Sequence, residues 1–147
     1  MLSNTCKYAI RALIYLANYS TKDKKVGIKK ISEDLAIPSP FLGKILQNMA
    51  REKLLISTKG PNGGFALGLA PEDISLYDIV VHVDGDRYFN NCVIRLEPCS
   101  CFADEISTCA VHRRYGNLRS DVMSFYKETS LADIVEDFEI SGEVIHF

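Results

Sequence analysis

Two short helical patterns separated by one proline-containing break constrain the fold of this 147-residue chain most strongly. In the first, residues 28–35, apolar side chains recur at helical spacing. The break is Ala36-Ile37-Pro38, and a residue that precedes proline disfavours the helical conformation. We expect Ser39 to cap a second helix that ends near Arg51, with Pro40 in its first turn. Two short helices joined by a tight turn form a helix-turn-helix.

A glycine-rich hairpin follows this pair directly. The run Leu54–Lys59 has the composition of a strand, Gly60–Gly64 is a turn cluster, and Phe65–Leu67 returns as a second strand. A helix-turn-helix followed at once by such a hairpin indicates a winged helix. The basic side chain of Lys59 stands just before the tip of the wing.

The remaining segments predict a mainly α fold with a small β-hairpin wing, in which a long dimerisation helix follows the winged helix-turn-helix domain. Further helices are predicted at Thr5–Tyr19, Leu76–Val83 (capped by Ser75), Cys109–Lys127 and Leu131–Phe138, and periodicity is lost over Asp84–Thr108. We therefore predict a DNA-binding domain (1–83), a cysteine-rich cluster-binding loop (84–112), a dimerisation helix with a short following helix (109–138) and a tail (139–147).

Charge is distributed unequally along the chain. Residues 1–60 hold eleven Lys and Arg against four Asp and Glu, a net charge of +7; since the whole chain carries −2, the remainder carries −9. A basic half beside an acidic half favours contact with a polyanion such as double-stranded DNA, although two differently solvated faces would give the same pattern. The candidate DNA-binding residues are Lys29, Lys30, Ser39, Pro40, Gly43, Lys44, Gln47, Arg51, Lys59 and Gly63.

Within that set we expect Gly43 to face outward, where it would allow the backbone to approach DNA closely. Lys44 and Gln47 are expected to reach phosphates or base edges, and Lys59 to enter the minor groove. A winged-helix protomer reads a short half-site, so a homodimer on a pseudo-palindromic operator is the expected assembly. The apolar stripe of residues 109–127 is the candidate pairing surface; the alternative is that this helix folds back onto its own core.

Four cysteines fall within 18 residues, in the order Cys92-x6-Cys99-x-Cys101-x7-Cys109-x2-His112. Cys109 and His112 would share one face of a helix, and the positive end of its dipole favours a thiolate. These spacings lack the paired CxxC units of zinc sites and suit an iron–sulfur cluster better. We take Cys92, Cys99, Cys109 and His112 as the iron ligands, with Cys101 as the alternative to Cys99. Inert buried cysteines, or a thiol switch without metal, are the competing interpretations.

Composition excludes several other classes of protein. The chain is 47% hydrophobic and 24% charged, which is ordinary for a globular protein and excludes general disorder. No apolar run is long enough for a membrane span, and we expect a cytoplasmic protein. A cysteine-dependent enzyme that uses Cys109 and His112 is a weaker hypothesis, because the phosphate-loop, GxSxG and HExxH motifs are missing from the sequence.

Four segments resemble the Rrf2 family of winged-helix regulators, over about residues 1–138. They are MLSNTCKYAIRALIYLA, IKKISEDLAIPSPFLGKILQNMAREKLL, STKGPNGGFAL and TSLADIVEDF. The resemblance implies a homodimeric bacterial transcription regulator. It is closest to the IscR-like members, whose three loop cysteines match Cys92, Cys99 (or Cys101) and Cys109. In them a histidine at the position of His112 completes a 2Fe–2S site.

The departures from the family pattern are specific. NsrR-like members use an acidic residue near the first helix as a ligand, and Lys7 stands at that position, which argues against a 4Fe–4S site of that kind. Gly43 replaces a larger polar recognition residue. The resemblance implies a sensor of redox, iron or nitric oxide status; a cluster-free, CymR-like regulator that responds through thiols or a protein partner is the alternative.

Overall fold

The computed structural model of the chain describes residues 2–92, 94 and 110–141, and omits the side chains of residues 110, 112, 113 and 141. The helices are α1 (Asn4–Tyr19), α2 (Ile28–Leu35), α3 (Ser39–Arg51), α4 (Leu76–Asp84), α5 (Arg87–Asn90), α6 (Ala110–Glu128) and α7 (Leu131–Ser141). The strands are β1 (Leu55–Thr58) and β2 (Gly64–Leu67), and a 3-10 turn spans Pro71–Asp73. The mainly helical fold with a hairpin wing is confirmed. Within these residues no helix is both long and apolar enough to cross a membrane.

The wing is an antiparallel hairpin in which Leu55 pairs with Leu67 and Thr58 with Gly64. Val26 extends the sheet, because its N–H and carbonyl both bond to Phe65, at 2.9 and 2.8 Å. Gly64 has a φ of +155°, and a Cβ built on it would lie 2.4 Å from the Val26 carbonyl oxygen. A residue with a side chain therefore does not fit where the wing joins the segment before α2.

Helix α1 forms the centre of the main core, where Leu13 and Leu16 are fully buried against side chains of α2, α3, α4 and the wing. Two polar contacts fix α2 onto it. Arg11 donates from Nη2 to the Leu35 carbonyl at 2.9 Å, and the Tyr15 hydroxyl donates to Asp34 at 2.5 Å. These contacts hold the helix-turn-helix in a fixed position on α1.

Helices α6 and α7 are anchored to the same core at their junction. The Leu131 N–H bonds to the Ile74 carbonyl and the Leu76 N–H to the Thr129 carbonyl, both at 2.9 Å. Ser75 and Ser130 cap α4 and α7, with side-chain bonds to Asp78 and Asp133 respectively. Because Leu131 is fully buried, the C-terminal end of α6 is tied to the winged domain.

Three details of the predicted secondary structure were wrong: one cap, one missed helix and one helix end. Pro38, not Ser39, is the N-cap of α3: its extended backbone lets its carbonyl accept from Phe41 and Leu42, both at 3.0 Å, so Ser39 is already helical and its side chain caps nothing. The stretch predicted to be irregular contains the one-turn helix α5, which Phe89 anchors by burial. Helix α7 runs three residues beyond the predicted end, to Ser141.

Candidate functional site

One face of α3 presents polar and basic side chains to solvent. Lys44, Gln47 and Arg51 are exposed, as is Pro40, and Ser39 is half-buried. The opposite face buries Leu42, Ile45, Leu46 and Met49 in the core. Helical spacing therefore separates a packing face from a face that can approach DNA, as the sequence predicted for these side chains.

Gly43 does not belong to the exposed face, so the prediction that it faces outward was wrong. It is buried, and a Cβ built on it would lie 3.1 Å from Cδ1 of Ile28. Its small size permits close packing of α3 on α2. The small side of the glycine therefore faces α2, and its predicted contact with DNA stays a prediction.

The two lysines of α2 differ in their surroundings. Lys29 is exposed, whereas Lys30 forms an ion pair with Asp34, with Nζ 2.8 and 2.7 Å from the two carboxylate oxygens. Hydrogen bonds from Lys30 and from Tyr15 hold the pKa of Asp34 below its usual value. Part of the charge that the sequence assigned to the DNA-binding face is therefore balanced within the protein.

At the wing, Lys59 is exposed directly before the turn. Gly63 is half-buried, and a Cβ there would lie 2.3 Å from the Thr58 carbonyl oxygen and 2.8 Å from that of Gly60. The turn at the tip therefore requires glycine at 63 for its own conformation. That requirement is separate from the predicted contact with DNA.

Of the predicted cluster ligands, Cys92 lies within the described residues, where it is half-buried. His112 belongs to the first turn of α6, but its side chain is not described; Cys99, Cys101 and Cys109 lie outside the described residues. Among the residues that the structure describes, no group of three His, Cys, Asp or Glu is arranged to hold a metal ion. The predicted ligand set therefore stays a prediction.

Cys92 lines a cavity of about 550 Å³ between the start of α1, the α4–α5 region and α6. Charged and polar side chains that the sequence analysis did not single out share this cavity. They are Ser3, Asp84, Tyr88, Tyr115 and Arg119. These residues lie far apart in the sequence, and no local motif identifies them.

Arg119 connects α6 to the segment that carries Cys92. Its Nη2 donates to the Asn91 carbonyl at 2.8 Å, and its guanidinium carbon lies 5.3 Å from the ring centroid of Tyr115. Its Nη1 is buried and has no hydrogen-bond partner in the part of the chain that the structure describes. A buried donor that lacks an acceptor is energetically unfavourable.

Asp84 joins the end of α4 to the start of α1. Its carboxylate accepts from the Ser3 backbone N–H at 2.8 Å and from the Ser3 hydroxyl at 2.5 Å. Burial, together with the negative charge of Asp84, raises the pKa of the nearby Cys6 thiol to about 12. Cys6 is fully buried in a cluster with Val80 and Phe89, so it serves packing.

Helix α6 has two apolar faces. Met123 and Tyr126 pack against a cluster formed by Cys6, Val80 and Phe89, so part of the helix does fold back onto its own domain. Val111, Leu118 and Phe125 face away from it and are 36%, 55% and 57% exposed. These three are seven residues apart, which places them in one stripe along the helix.

The fold and the exposed basic face define a winged helix-turn-helix regulator of transcription. Residues 2–137 match the family model Rrf2, described as an iron-dependent transcriptional regulator, and the chain belongs to this family. The resemblance seen in the sequence is confirmed. Members of the family regulate transcription and are not enzymes, as the lack of catalytic motifs predicted.

Individual relatives extend over most of the chain. A candidate HTH-type transcriptional regulator of Aquifex aeolicus is 35% identical over 136 residues, covering 92% of this chain and 91% of the relative. IscR of Vibrio atlanticus is 27% identical, with coverage of 95% and 77%. NsrR of Bacillus licheniformis is also 27% identical, with coverage of 91% for both chains.

Solved structures have the same fold. CymR of B. subtilis, described as the global cysteine regulator, superposes with a TM-score of 0.74 at 20% identity, covering 92% of this chain and 96% of CymR. IscR of T. potens gives a TM-score of 0.75 at 19% identity, with coverage of 99% and 93%. At these identities the similarity establishes the fold.

Proposed function

We propose that the protein is a homodimeric repressor or activator that acts in the cytoplasm. Its affinity for a pseudo-palindromic operator changes with the state of an iron–sulfur cluster. The observation that carries the DNA-binding part is the exposure of Lys44, Gln47 and Arg51 on one face of α3, with Lys59 on the wing. A helix with exposed basic and amide side chains suits the major groove, and a basic wing suits the adjacent backbone and minor groove.

The pairing surface that we assign is the stripe Val111, Leu118 and Phe125 on α6. A second copy of the chain is its occupant, because a repeat of seven residues places these side chains on one seam and seams of this kind pair with their own copy. Two winged domains joined through α6 would reach half-sites about 34 Å apart on one side of a duplex.

We assign the cluster to Cys92, Cys99 or Cys101, Cys109 and His112, with a 2Fe–2S cluster preferred over 4Fe–4S. The described surroundings of Cys92 support this assignment: thiolate-ligated clusters are anionic, and the cationic side chain of Arg119 lines the same cavity as Cys92. When bound, the cluster supplies a group that changes with redox state. The chain's own contribution is to couple the segment at Cys92 to α6, and through α6 to the winged domains.

The names of related proteins add support of a different kind. IscR and NsrR are names carried by relatives at 27% identity, and the family description mentions iron dependence. A coupling free energy of about 1–3 kcal/mol between cluster and DNA would change operator affinity by several-fold to roughly a hundredfold. That range is sufficient for a transcriptional switch.

DNA binding is tested with the full-length dimer under anaerobic conditions, using duplexes selected from a random pool. If Lys59 contacts a phosphate, Lys59→Ala weakens binding and lowers the slope of log affinity against log salt by about one unit. Lys24→Ala is the matched control, since the pairing of Val26 with Phe65 places Lys24 toward the end of β2 that is distant from the wing tip. Equal slopes for the two variants would remove Lys59 from this role.

The cluster is tested by anaerobic purification with iron and sulfide assays and visible absorption. Serine at Cys92 or Cys109, or alanine at His112, is expected to abolish the absorption, and Cys99→Ser compared with Cys101→Ser identifies the remaining ligand. Cys6→Ala is the control, because this thiol is buried away from solvent. Colourless protein that stays free of metal after reconstitution would contradict the cluster and favour a thiol or protein-partner mechanism.

A further inference from the structure

A second cavity, of about 440 Å³, lies between α3, the first turn of α1 and the end of α4. Thr5 lines it from α1 and Val83 from α4. Exposed residues of α3 form one edge, at intervals of three and four that place them in a single stripe along the helix. They are Phe41, Lys44, Asn48 and Arg51. The cavity therefore adjoins the face of α3 that we assign to DNA.

The inner part of this cavity is apolar. Ile45 and Met49, its two buried lining residues, are 5% and 1% exposed. The ring of Phe41 is 38% exposed and is held by an edge contact with Tyr8, at 5.7 Å between ring centroids. Sites for small organic molecules are typically cavities of about 300–1,000 Å³ with apolar walls and a few polar groups. The volume and the lining both match that description.

The polar edge of the cavity is cationic. Among the described residues, neither Lys44 nor Arg51 takes part in an ion pair, and no Asp or Glu lines the cavity. A carboxylate suits both cations, since lysine offers a compact charge and arginine a planar fork of N–H donors. The amide groups of Gln47 and Asn48 offer further N–H donors at the same edge. An apolar body attached to the carboxylate would cover the inner wall, which a DNA phosphate has no group to do.

We propose that this cavity binds a small organic carboxylate with an apolar body, and that the bound carboxylate competes with DNA. Lys44 and Arg51 belong both to the cavity and to the exposed face of α3. A carboxylate that pairs with them withdraws their charge from the phosphates of an operator. The competition rests on the proposed DNA binding, whereas the binding of a carboxylate concerns the protein alone.

The carboxylate is tested by isothermal titration calorimetry of the full-length protein without DNA, at constant ionic strength. The probes are phenylbutyrate and octanoate, one aromatic and one aliphatic. Their uncharged amides, and acetate, which has no apolar body, should bind about tenfold more weakly or not at all, because each lacks one of the two interactions. If neither probe binds saturably, or if the amides bind equally well, the proposal is overturned.

The location is tested in the wild type by methyl NMR with phenylbutyrate. The lining residues that carry methyl groups, Thr5, Ile45, Met49 and Val83, should show the largest shift changes. Thr5→Phe fills the cavity from α1 and should weaken binding about tenfold or more. Asn4→Phe, at an exposed neighbour outside the lining, should bind the probe as the wild type does. Shift changes centred elsewhere, or equal binding by the two variants, overturn the site.

The competition is tested with a duplex selected as described for the proposed function. Phenylbutyrate at ten times its dissociation constant should weaken the affinity for the duplex about tenfold, whereas sodium chloride at the same ionic strength should not. The affinity of Thr5→Phe for the duplex should respond to phenylbutyrate much less. An unchanged affinity of the wild type at saturating phenylbutyrate overturns the competition. If the wild type binds no duplex, the proposed function fails, and calorimetry with NMR alone decides whether the cavity binds a carboxylate.

Discussion

The exposed basic face of α3 and the cavity beside Cys92 are built in opposite ways. The first takes its side chains from a single helix, where Lys44, Gln47 and Arg51 are exposed by helical spacing alone. The second gathers Ser3, Asp84, Cys92 and Arg119 from segments up to 116 positions apart in the chain. The comparison shows that spacing within one helix is sufficient to specify the α3 face. The surroundings of Cys92 depend instead on how distant segments pack together.

An aromatic cluster connects the Cys92 side of the molecule to α1, which packs against α3 in the main core. Tyr126 of α6 stacks edge-on with Phe89 at 5.3 Å and with Tyr88 at 5.9 Å between ring centroids, and Phe89 belongs to α5 just before Cys92. The same cluster includes the buried Cys6 of α1. A displacement near Cys92 therefore meets a packed contact to the central helix of the winged domain, which gives the proposed coupling a physical route.

The largest expected effect comes from removing the proposed pairing surface on α6, which lies outside both regions. Leu118→Asp places a charge in the centre of the α6 stripe, and an uncompensated charge in a buried interface is unfavourable by about 3–5 kcal/mol. We expect a monomer in sedimentation velocity and a loss of operator affinity of a hundredfold or more. Ile140→Asp, at a residue of α7 that is 77% exposed, is the control and should remain dimeric. A dimeric Leu118→Asp would show that the stripe is not the interface.

The next effect disturbs the base of the wing and leaves the cavity beside Cys92 unchanged. Gly64→Ala places a Cβ 2.4 Å from the Val26 carbonyl oxygen, so the wing must shift, at about 1–3 kcal/mol of unfolding free energy. The free energy of unfolding, measured with denaturant, and the affinity for DNA should both fall. Cluster content should stay at the wild-type level. Gly27→Ala is matched, because a Cβ there meets no atom within 4 Å. Equal stability of the two variants would argue against a tightly packed wing base.

A smaller effect concerns the pH dependence of the winged domain. Hydrogen bonds from Lys30 and Tyr15 lower the pKa of Asp34 in the folded protein. The ionised carboxylate therefore stabilises the fold at pH values above the unfolded-state pKa. This contribution is lost as the pH falls through the folded-state pKa. Asp34→Asn should therefore be less stable than the wild type at pH 7, with the difference closing in acid. Urea unfolding at several pH values measures it, with Glu33→Gln as the control. A difference that persists at acid pH would contradict the assignment.

The smallest effect tests the inward position of Gly43. Gly43→Ala gains helix propensity of about 1 kcal/mol, offset by the 3.1 Å approach of its Cβ to the flexible end of Ile28. We expect stability within about 1 kcal/mol of the wild type and little change in DNA affinity. A large loss of affinity at unchanged stability would restore Gly43 to the DNA-facing surface.

Much of the fold was predictable because its signals are local. The break at Pro38, the glycines of the wing and the apolar periods gave α1, α2, α3 and the hairpin with boundaries that agree closely with the structure. The prediction was wrong about the cap of α3 and missed helix α5, because each depends on a single group. The cap depends on the Pro38 carbonyl and α5 on the buried ring of Phe89, and hydrophobic periodicity identifies neither.

By itself, the sequence determined the class of fold, the exposed basic side chains of α3 and the stripe along α6, since all three follow from the spacing of residues within one element. The tertiary structure decided that Gly43 packs inward, that Tyr15 donates to Asp34, and that Arg119 reaches the residue before Cys92. The physical reason is that burial and hydrogen bonding between distant segments depend on where whole helices pack. A one-dimensional pattern records which face of a helix is apolar but not which partner that face meets.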